Sequence, residues 1–285
     1  MSIHPHRKFA VIGNPVDHSL SPQLHKNVFD QLGIDAEYTK MKCPESDLSA
    51  MMERLRSGEW DGLNITIPHK QKIIPLLDKL NPRAHSIGSV NCVTNDNGAL
   101  IGYNTDWFGF SMSLKLNQIS VQGHSCVVIG AGGAAYAIVY ALLREGANSI
   151  AVANRSHANS EKLVEKLSVI QNDCLLHSIP FEQLNVAMNS ASIIVNTTPV
   201  GMGSNPDEIP APKTAITSSQ ILIDIIYSPM KTEFLKFGER IGAKIINGLD
   251  MFIYQGLASL DIWMKDRISP RVDINDLKKI LETHL

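Results

Sequence analysis

The chain has 285 residues, with 26 Lys and Arg against 28 Asp and Glu, for a formal net charge of −2. That balance gives no electrostatic reason to expect nucleic acid or an anionic membrane surface as a partner, and the length suffices for two modest domains, each with its own core. Cys43, Cys92, Cys126 and Cys174 share no CxxC or other short ligand spacing, so they read as reduced packing thiols of a cytoplasmic protein with no metal site.

Residues 1–8 contain no apolar signal core, and His4 and His6 read as solvent-exposed rather than as a metal clip. Residues 9–13 form a buried-strand pattern, followed by a loop dense in turn formers and hydroxyls, Asn14-Pro15-Val16-Asp17-His18-Ser19-Leu20-Ser21-Pro22. Ser21 before Pro22 fits an N-cap and first helical position, although capping leaves His18 and Ser19 without a role. Leu24, Val28, Phe29 and Leu32 mark one face of the following helix, which stops at Gly33. A strand is predicted over 37–42, then a helix with Leu48, Met51, Met52 and Leu55 as core positions.

Asn64 and Thr66 share one face of a short strand, with Lys70 just beyond it at a predicted helix start. A cation there opposes the helix dipole, so the misfit hints at function. A further strand is predicted over 89–93 with Asn91 inside it, then a hairpin turn at Asn95-Asp96-Asn97-Gly98. The return strand runs into Asn104-Thr105-Asp106, where Thr105 or Asp106 is placed to cap the next helix. For Asp106, a cap and a functional carboxylate both remain open. Polar residues thus gather where open α/β sheets bind ligands, beyond strand carboxyl ends.

Residues 116–143 lack Asp, Glu, Lys and Arg, but their Asn, Gln, Ser, His and clustered glycines argue against a membrane span. Within them a strand over 125–129 breaks at Gly130-Ala131-Gly132-Gly133-Ala134-Ala135 and resumes as a helix. Gly130-x-Gly132-x-x-Ala135 suits a dinucleotide pyrophosphate: a tight turn, a bare backbone for the phosphates, and a small residue for close helix packing. The next strand, 149–153, ends at Asn154-Arg155-Ser156, with no carboxylate for a ribose 2′-hydroxyl or against a 2′-phosphate. Arg155 can stack on adenine and pair with phosphate, so NADP is expected over NAD, against the plainer reading of a solvated loop arginine.

A helix over 160–167, strands over 192–196 and 220–226, a helix over 233–241 and a strand over 243–246 complete a doubly wound parallel sheet. Thr197 and the Gly/Pro loop after it leave a strand end where a nicotinamide ribose can lie, and Asp224-Ile225-Ile226-Tyr227 leaves another. Two helices, 248–263 and 274–281, close the chain. The expected class is α/β with two domains: an N-terminal α/β substrate domain, 1–106 with 249–285, and a Rossmann-like NADP-binding domain, 107–248.

Several spaced motifs in one order resemble the quinate/shikimate dehydrogenase family. They are Gly13-Asn14-Pro15-Val16-x-His18-Ser19-Leu20-Ser21-Pro22, Asn64-Ile65-Thr66-x-Pro68-x-Lys70, Gly88-x-Val90-Asn91, Gly102-x-Asn104-Thr105-Asp106, the glycine loop, Asn154-Arg155, and Gly248-Leu249-x-Met251 with Gln255. The resemblance implies reversible, NADPH-dependent reduction of 3-dehydroshikimate to shikimate, a step of aromatic amino-acid biosynthesis. It implies Lys70 and Asp106 as the catalytic pair, and Ser19, Ser21, Thr66, Asn91, Tyr227 and Gln255 as substrate ligands. The implied cofactor set is Gly130, Ala131, Gly132, Gly133, Ala134, Asn154, Arg155, Ser156, Thr197, Ile225 and Gly248. Lys70 is expected as a protonated donor to the developing alkoxide, oriented by Asp106. A monomer or homodimer, cytoplasmic and acting on a small molecule, is expected.

Three positions depart from the family pattern. Asn159 stands where many members have a second arginine for the 2′-phosphate, Trp107 stands where glycine is common, and Cys92 where threonine is frequent. Ser21, rather than threonine, leans towards shikimate over the bulkier quinate. A member that uses NAD or quinate, a non-catalytic ligand-binding member, and another Rossmann enzyme such as a methylene-tetrahydrofolate dehydrogenase or glutamyl-tRNA reductase are the alternatives. The last two enzymes do not account for the serine-rich loop together with Asn104-Thr105-Asp106.

Overall fold

The computed structural model describes residues 6–170, 173–203 and 206–285, so His4 and the remainder of 1–5 lie outside the described residues. The chain divides into two compact units, Met1–Thr105 with Gln255–His284, and Asp106–Tyr254 with Leu285.

The first unit contains β1 (Arg7–Gly13), α1 (Ser21–Leu32), β2 (Ala36–Lys42), α2 (Leu48–Arg56), β3 (Gly62–Ile65), β4 (Lys79–Leu80), α3 (Pro82–Ile87), β5 (Cys92–Asp96) and β6 (Ala99–Tyr103). They form one mixed sheet in the order β2-β1-β3-β5-β6-β4. β1 runs parallel to β2 and β3, whereas β5 is antiparallel to β3 and β6. The β5–β6 hairpin turns on Asn97 and Gly98, both at positive φ (54° and 89°), the backbone that a two-residue turn between twisted strands requires. On one face Leu48, Met51, Met52 and Leu55 of α2 pack against Ala10, Ile12, Leu63 and Ile65, so the methionines are core.

The second unit contains α4 (Asp106–Leu116), β7 (Ser125–Ile129), α5 (Gly133–Arg144), β8 (Ser149–Ala153), α6 (His157–Ser168), β9 (Leu175–Ile179), α7 (Leu184–Asn189), β10 (Ile193–Asn196), β11 (Ile221–Asp224), α8 (Glu233–Arg240) and β12 (Lys244–Ile246). Its sheet is wholly parallel, ordered β12-β11-β10-β7-β8-β9. The order reverses beside β7, the topological switch point at which such sheets bind ligands. The charge-free stretch 116–143 resolves into β7 and α5, and no helix among the described residues is long and apolar enough to cross a membrane.

α9 (Leu249–Met264) begins in the second unit and ends in the first, and α10 (Ile274–Glu282) follows. In the first unit Trp263 of α9 stacks on Phe9 with ring centroids 4.7 Å apart and donates its indole N–H to the Val93 carbonyl at 3.0 Å. α10 is capped by Asp273, whose own N–H donates to the Gln31 side chain of α1 at 2.9 Å.

His25 of α1 is buried and stacked on Tyr38 with centroids 4.0 Å apart. Burial pushes its imidazole down to about 3, against a weaker opposing hydrogen bond to Asn64, so it is neutral in the folded protein. The unfolded chain binds this proton from about pH 6.5 downward and the folded protein does not, so its contribution to stability is lost as pH falls through that window. Urea midpoints should therefore drop more steeply from pH 6.5 towards 4 in the native chain than in His25→Phe. Equal slopes would show that His25 is not the buried neutral base described.

Candidate functional site

The carboxyl ends of β1, β3 and β6 lie on one edge of the first sheet. β5 runs the other way, so the residue just before it, Asn91, reaches the same edge. Asn91 immediately precedes its strand, Cys92–Asp96, rather than lying within it.

Ser21 is likewise not the N-cap. Leu20 occupies that position and its carbonyl accepts the first helical bond from the Leu24 N–H at 3.0 Å, which leaves Ser21 as the first helical residue. Its hydroxyl accepts from the Ser19 hydroxyl at 3.0 Å, while the Ser21 N–H donates to Ser19 Oγ at 3.3 Å. The two hydroxyls are thus held side by side.

Lys70 does not start a helix. It lies in a run of turns that leads to a single 3₁₀ turn, Ile74–Leu76. Pro75 has no N–H for a helical ladder, and the Lys70 carbonyl is taken by the Val90 N–H at 2.8 Å. The dipole misfit read from the sequence therefore disappears. What places Lys70 is its neighbour: His69 is fully buried and its Nε2–H donates to the Cys43 carbonyl at 2.6 Å, pinning this loop to the end of β2. The half-buried Thr66 is fixed by its N–H to the Ile12 carbonyl at 2.9 Å.

Asn91 is the hub of a buried network in the first unit. Its Oδ1 accepts from the Thr105 N–H at 2.6 Å, and its Nδ2 donates to Thr105 Oγ1 at 2.8 Å and to Gln255 Oε1 at 3.2 Å. Beneath it Asn64 donates to the Asn91 carbonyl and to Ser259 Oγ, both at 3.0 Å, and accepts from the Tyr38 hydroxyl at 2.7 Å. The Thr105 side chain is thus committed to this network, and Thr105 immediately precedes α4. Asp106 is the first residue of α4 and only 3% exposed, a position where the helix dipole favours a carboxylate. Tyr227 belongs to the second unit and stacks on Phe252 with centroids 4.2 Å apart.

The glycine loop of the second unit joins β7 to α5. Gly130 has φ +112°, and a Cβ there would lie 2.4 Å from Thr197 Oγ1, so both backbone and neighbour require glycine. Gly132 differs. Its backbone is extended (φ −82°, ψ 179°) and a Cβ would meet nothing within 4 Å. Neither conformation nor internal packing demands glycine at 132; a group lying against the exposed loop would. Ala131 is buried, whereas Gly133 and Ala134 are partly exposed at the helix N-terminus. These features fit a nucleotide pyrophosphate.

Past β8, Asn154 Nδ2 donates to the Ser156 carbonyl at 2.9 Å and shapes the loop that exposes Arg155. Ser156 precedes α6 without a side-chain capping bond, and Asn159 is exposed one turn on. Thr197 donates from its hydroxyl to the Ile129 carbonyl at 2.8 Å, bracing the glycine loop. Gly248 has an internal cause: a Cβ would lie 2.0 Å from the Ile225 carbonyl oxygen.

Sequence reasoning passed over one further group. Asp224, the last residue of β11, is fully buried, and burial pushes its carboxyl up to about 6 despite three hydrogen bonds to it. Its donors are Asn196 Nδ2 (3.1 Å), the Ile226 N–H (3.1 Å) and the Thr232 hydroxyl (2.7 Å). The signal available was a carboxylate ending the apolar run Ile221-Leu222-Ile223-Asp224.

A two-unit α/β protein with a nucleotide-type glycine loop and a polar edge on a separate sheet is the class that fold and site define. Residues 11–93 match the model of the shikimate dehydrogenase substrate binding domain, and residues 113–225 match that of shikimate/quinate 5-dehydrogenase. A shikimate dehydrogenase (NADP(+)) of Staphylococcus aureus is 39% identical over 272 residues, covering 95% of this chain and 96% of its own. The structure of shikimate 5-dehydrogenase from Listeria monocytogenes in complex with shikimate and NAD has a TM-score of 0.85 at 33% identity, covering 99% of this chain and 98% of that one. The Thermus thermophilus enzyme in complex with NADP(H) and shikimate has a TM-score of 0.83 at 31% identity, covering 98% and 100%. The chain belongs to the shikimate/quinate dehydrogenase family.

Proposed function

We propose that the chain catalyses the reversible NADPH-dependent reduction of 3-dehydroshikimate to shikimate, as a cytoplasmic enzyme of aromatic amino-acid biosynthesis, monomeric or homodimeric. The observation that carries the reading is the set of groups on one edge of the first sheet: the paired Ser19 and Ser21 hydroxyls, Thr66, Lys70 and the Asn91 hub with Gln255. Together they offer a cation, amides and hydroxyls to a small polyhydroxy carboxylate.

The cofactor, when bound, supplies the hydride that adds to C3 of the substrate. Negative charge then develops on the C3 oxygen, and this chain must stabilise it and deliver one proton. Lys70 is assigned that role as an ammonium donor, with the Asp106 carboxylate orienting it and sharing its proton. Ser19, Ser21, Thr66, Asn91, Tyr227 and Gln255 hold the substrate carboxylate and hydroxyls. Gly130, Ala131, Gly132, Gly133 and Ala134 cradle the pyrophosphate. Asn154, Arg155 and Ser156 take the adenosine 2′-phosphate, and Thr197, Ile225 and Gly248 lie along the nicotinamide end.

A second reading, use of NAD, rests on Asn159: Arg155 is exposed and the residue one turn on carries no charge for a 2′-phosphate. Initial rates of shikimate oxidation with NADP and with NAD, each repeated with quinate, separate the two. The proposed enzyme favours shikimate and NADP by at least about tenfold in kcat/KM, about 1.4 kcal/mol each. Comparable rates with NAD or quinate would make it a broader member, and an absence of turnover would leave a ligand-binding protein.

The glycine geometry adds a second expectation. Gly130→Ala should lower the melting temperature, because it meets both a positive φ and Thr197. Gly132→Ala should leave it within about 2 °C yet weaken NADPH binding at least tenfold. Unaltered NADPH affinity in Gly132→Ala would remove the pyrophosphate from this loop.

A further inference from the structure

Resting on that reading, we propose that Asp224 is a positioning residue for the nicotinamide half of the cofactor, holding the two loops that flank it in a single arrangement. Asn196 and Asp224 are register partners at the carboxyl ends of β10 and β11, and both are fully buried. Asn196 Nδ2 donates to Asp224 Oδ1 at 3.1 Å and to the Val200 carbonyl at 3.3 Å. Its Oδ1 accepts from the Thr198 N–H at 3.0 Å and from the Thr198 hydroxyl at 2.7 Å. Asp224 itself accepts from the Ile226 N–H and from Thr232, the N-cap of α8. One carboxylate therefore ties together the loop from Thr197 to Gly201, the segment from Ile225 to Tyr227, and the start of α8.

A carboxylate is suited to this by being an acceptor only. It forces the amide of Asn196 to turn Nδ2 towards it, which leaves Oδ1 for Thr198. An amide at 224 accepts or donates, so the Asn196 side chain gains a second orientation and the loops a second geometry. Each of these donors is neutral, so the buried charge is compensated by hydrogen bonds alone. Such a charge costs stability relative to an apolar residue. The upward push on its carboxyl reflects that cost. The group is thus explained by the geometry it imposes rather than by the stability it adds.

The test measures dissociation constants of NADPH, and of adenosine 2′,5′-bisphosphate, which lacks the nicotinamide half, on the full chain and on Asp224→Asn. A positioning role raises the NADPH constant at least tenfold and keeps that of the bisphosphate within twofold. Equal weakening of both ligands, or no change in either, overturns it. Thr232→Val and Thr232→Ser decide independently should Asp224→Asn fail to fold. Val, which keeps the branch and loses the hydroxyl, should raise the NADPH constant at least threefold, and Ser should restore it to within twofold of the native chain. Val and Ser weakened alike would overturn the proposal. Failure of the unaltered chain to bind NADPH would overturn the functional reading and this inference together. Normal binding by the native chain and by Asp224→Asn alike would overturn this inference alone.

Discussion

The hydrogen bond from the Thr105 N–H to the side-chain carbonyl of Asn91, 2.6 Å long and buried, is the constraint on which the substrate half depends. It fixes the last residue of the first unit before the chain enters the second at Asp106. The same amide reaches Gln255, and its backbone carbonyl receives Asn64, so residues far apart in sequence share one polar cluster. Buried groups of this kind contribute little net stability when paired but cost about 1–3 kcal/mol each when a partner is removed. A satisfied cluster therefore has one low-energy arrangement.

The second unit solves a comparable problem with the opposite chemistry. Where the substrate half is preorganised by neutral amides and hydroxyls, the loops beyond β10 and β11 converge on a buried carboxylate. The glycine loop is braced from that side, since Thr197 donates to the Ile129 carbonyl while its Oγ1 occupies the space that a Cβ on Gly130 would need. The glycine loop and the loop beyond β10 are thereby mechanically linked through one threonine.

The two-domain α/β architecture was legible because it is written in local signals: apolar runs at strand ends, helix periodicity and the glycine loop. The Asn97-Gly98 turn was legible for the same reason, since only a few residue types take positive φ. Elements without such signals were not. β9 is an edge strand whose Leu175 is 64% exposed, so it carries no buried pattern to read. At Lys70 the sequence pattern of a helix start is overridden by Pro75, which has no N–H for the ladder, and at Ser21 the cap position depends on which carbonyl accepts the first helical bond, that of Leu20. Asn91 and His69 act through partners 14 to 164 and 26 residues away, and Asp224 through Thr232 and Asn196, 8 and 28 residues away, contacts that no local pattern announces; only its bond from the Ile226 N–H is local.

The proposed reaction depends most directly on Lys70, the group proposed to stabilise the C3 oxygen and move its proton. The measurement is kcat and KM for shikimate in Lys70→Ala, with saturating NADP. A lost proton donor lowers kcat by about 10²–10⁴-fold and leaves KM within a few-fold. An unchanged kcat with a large rise in KM would contradict the account and make Lys70 a residue of binding alone.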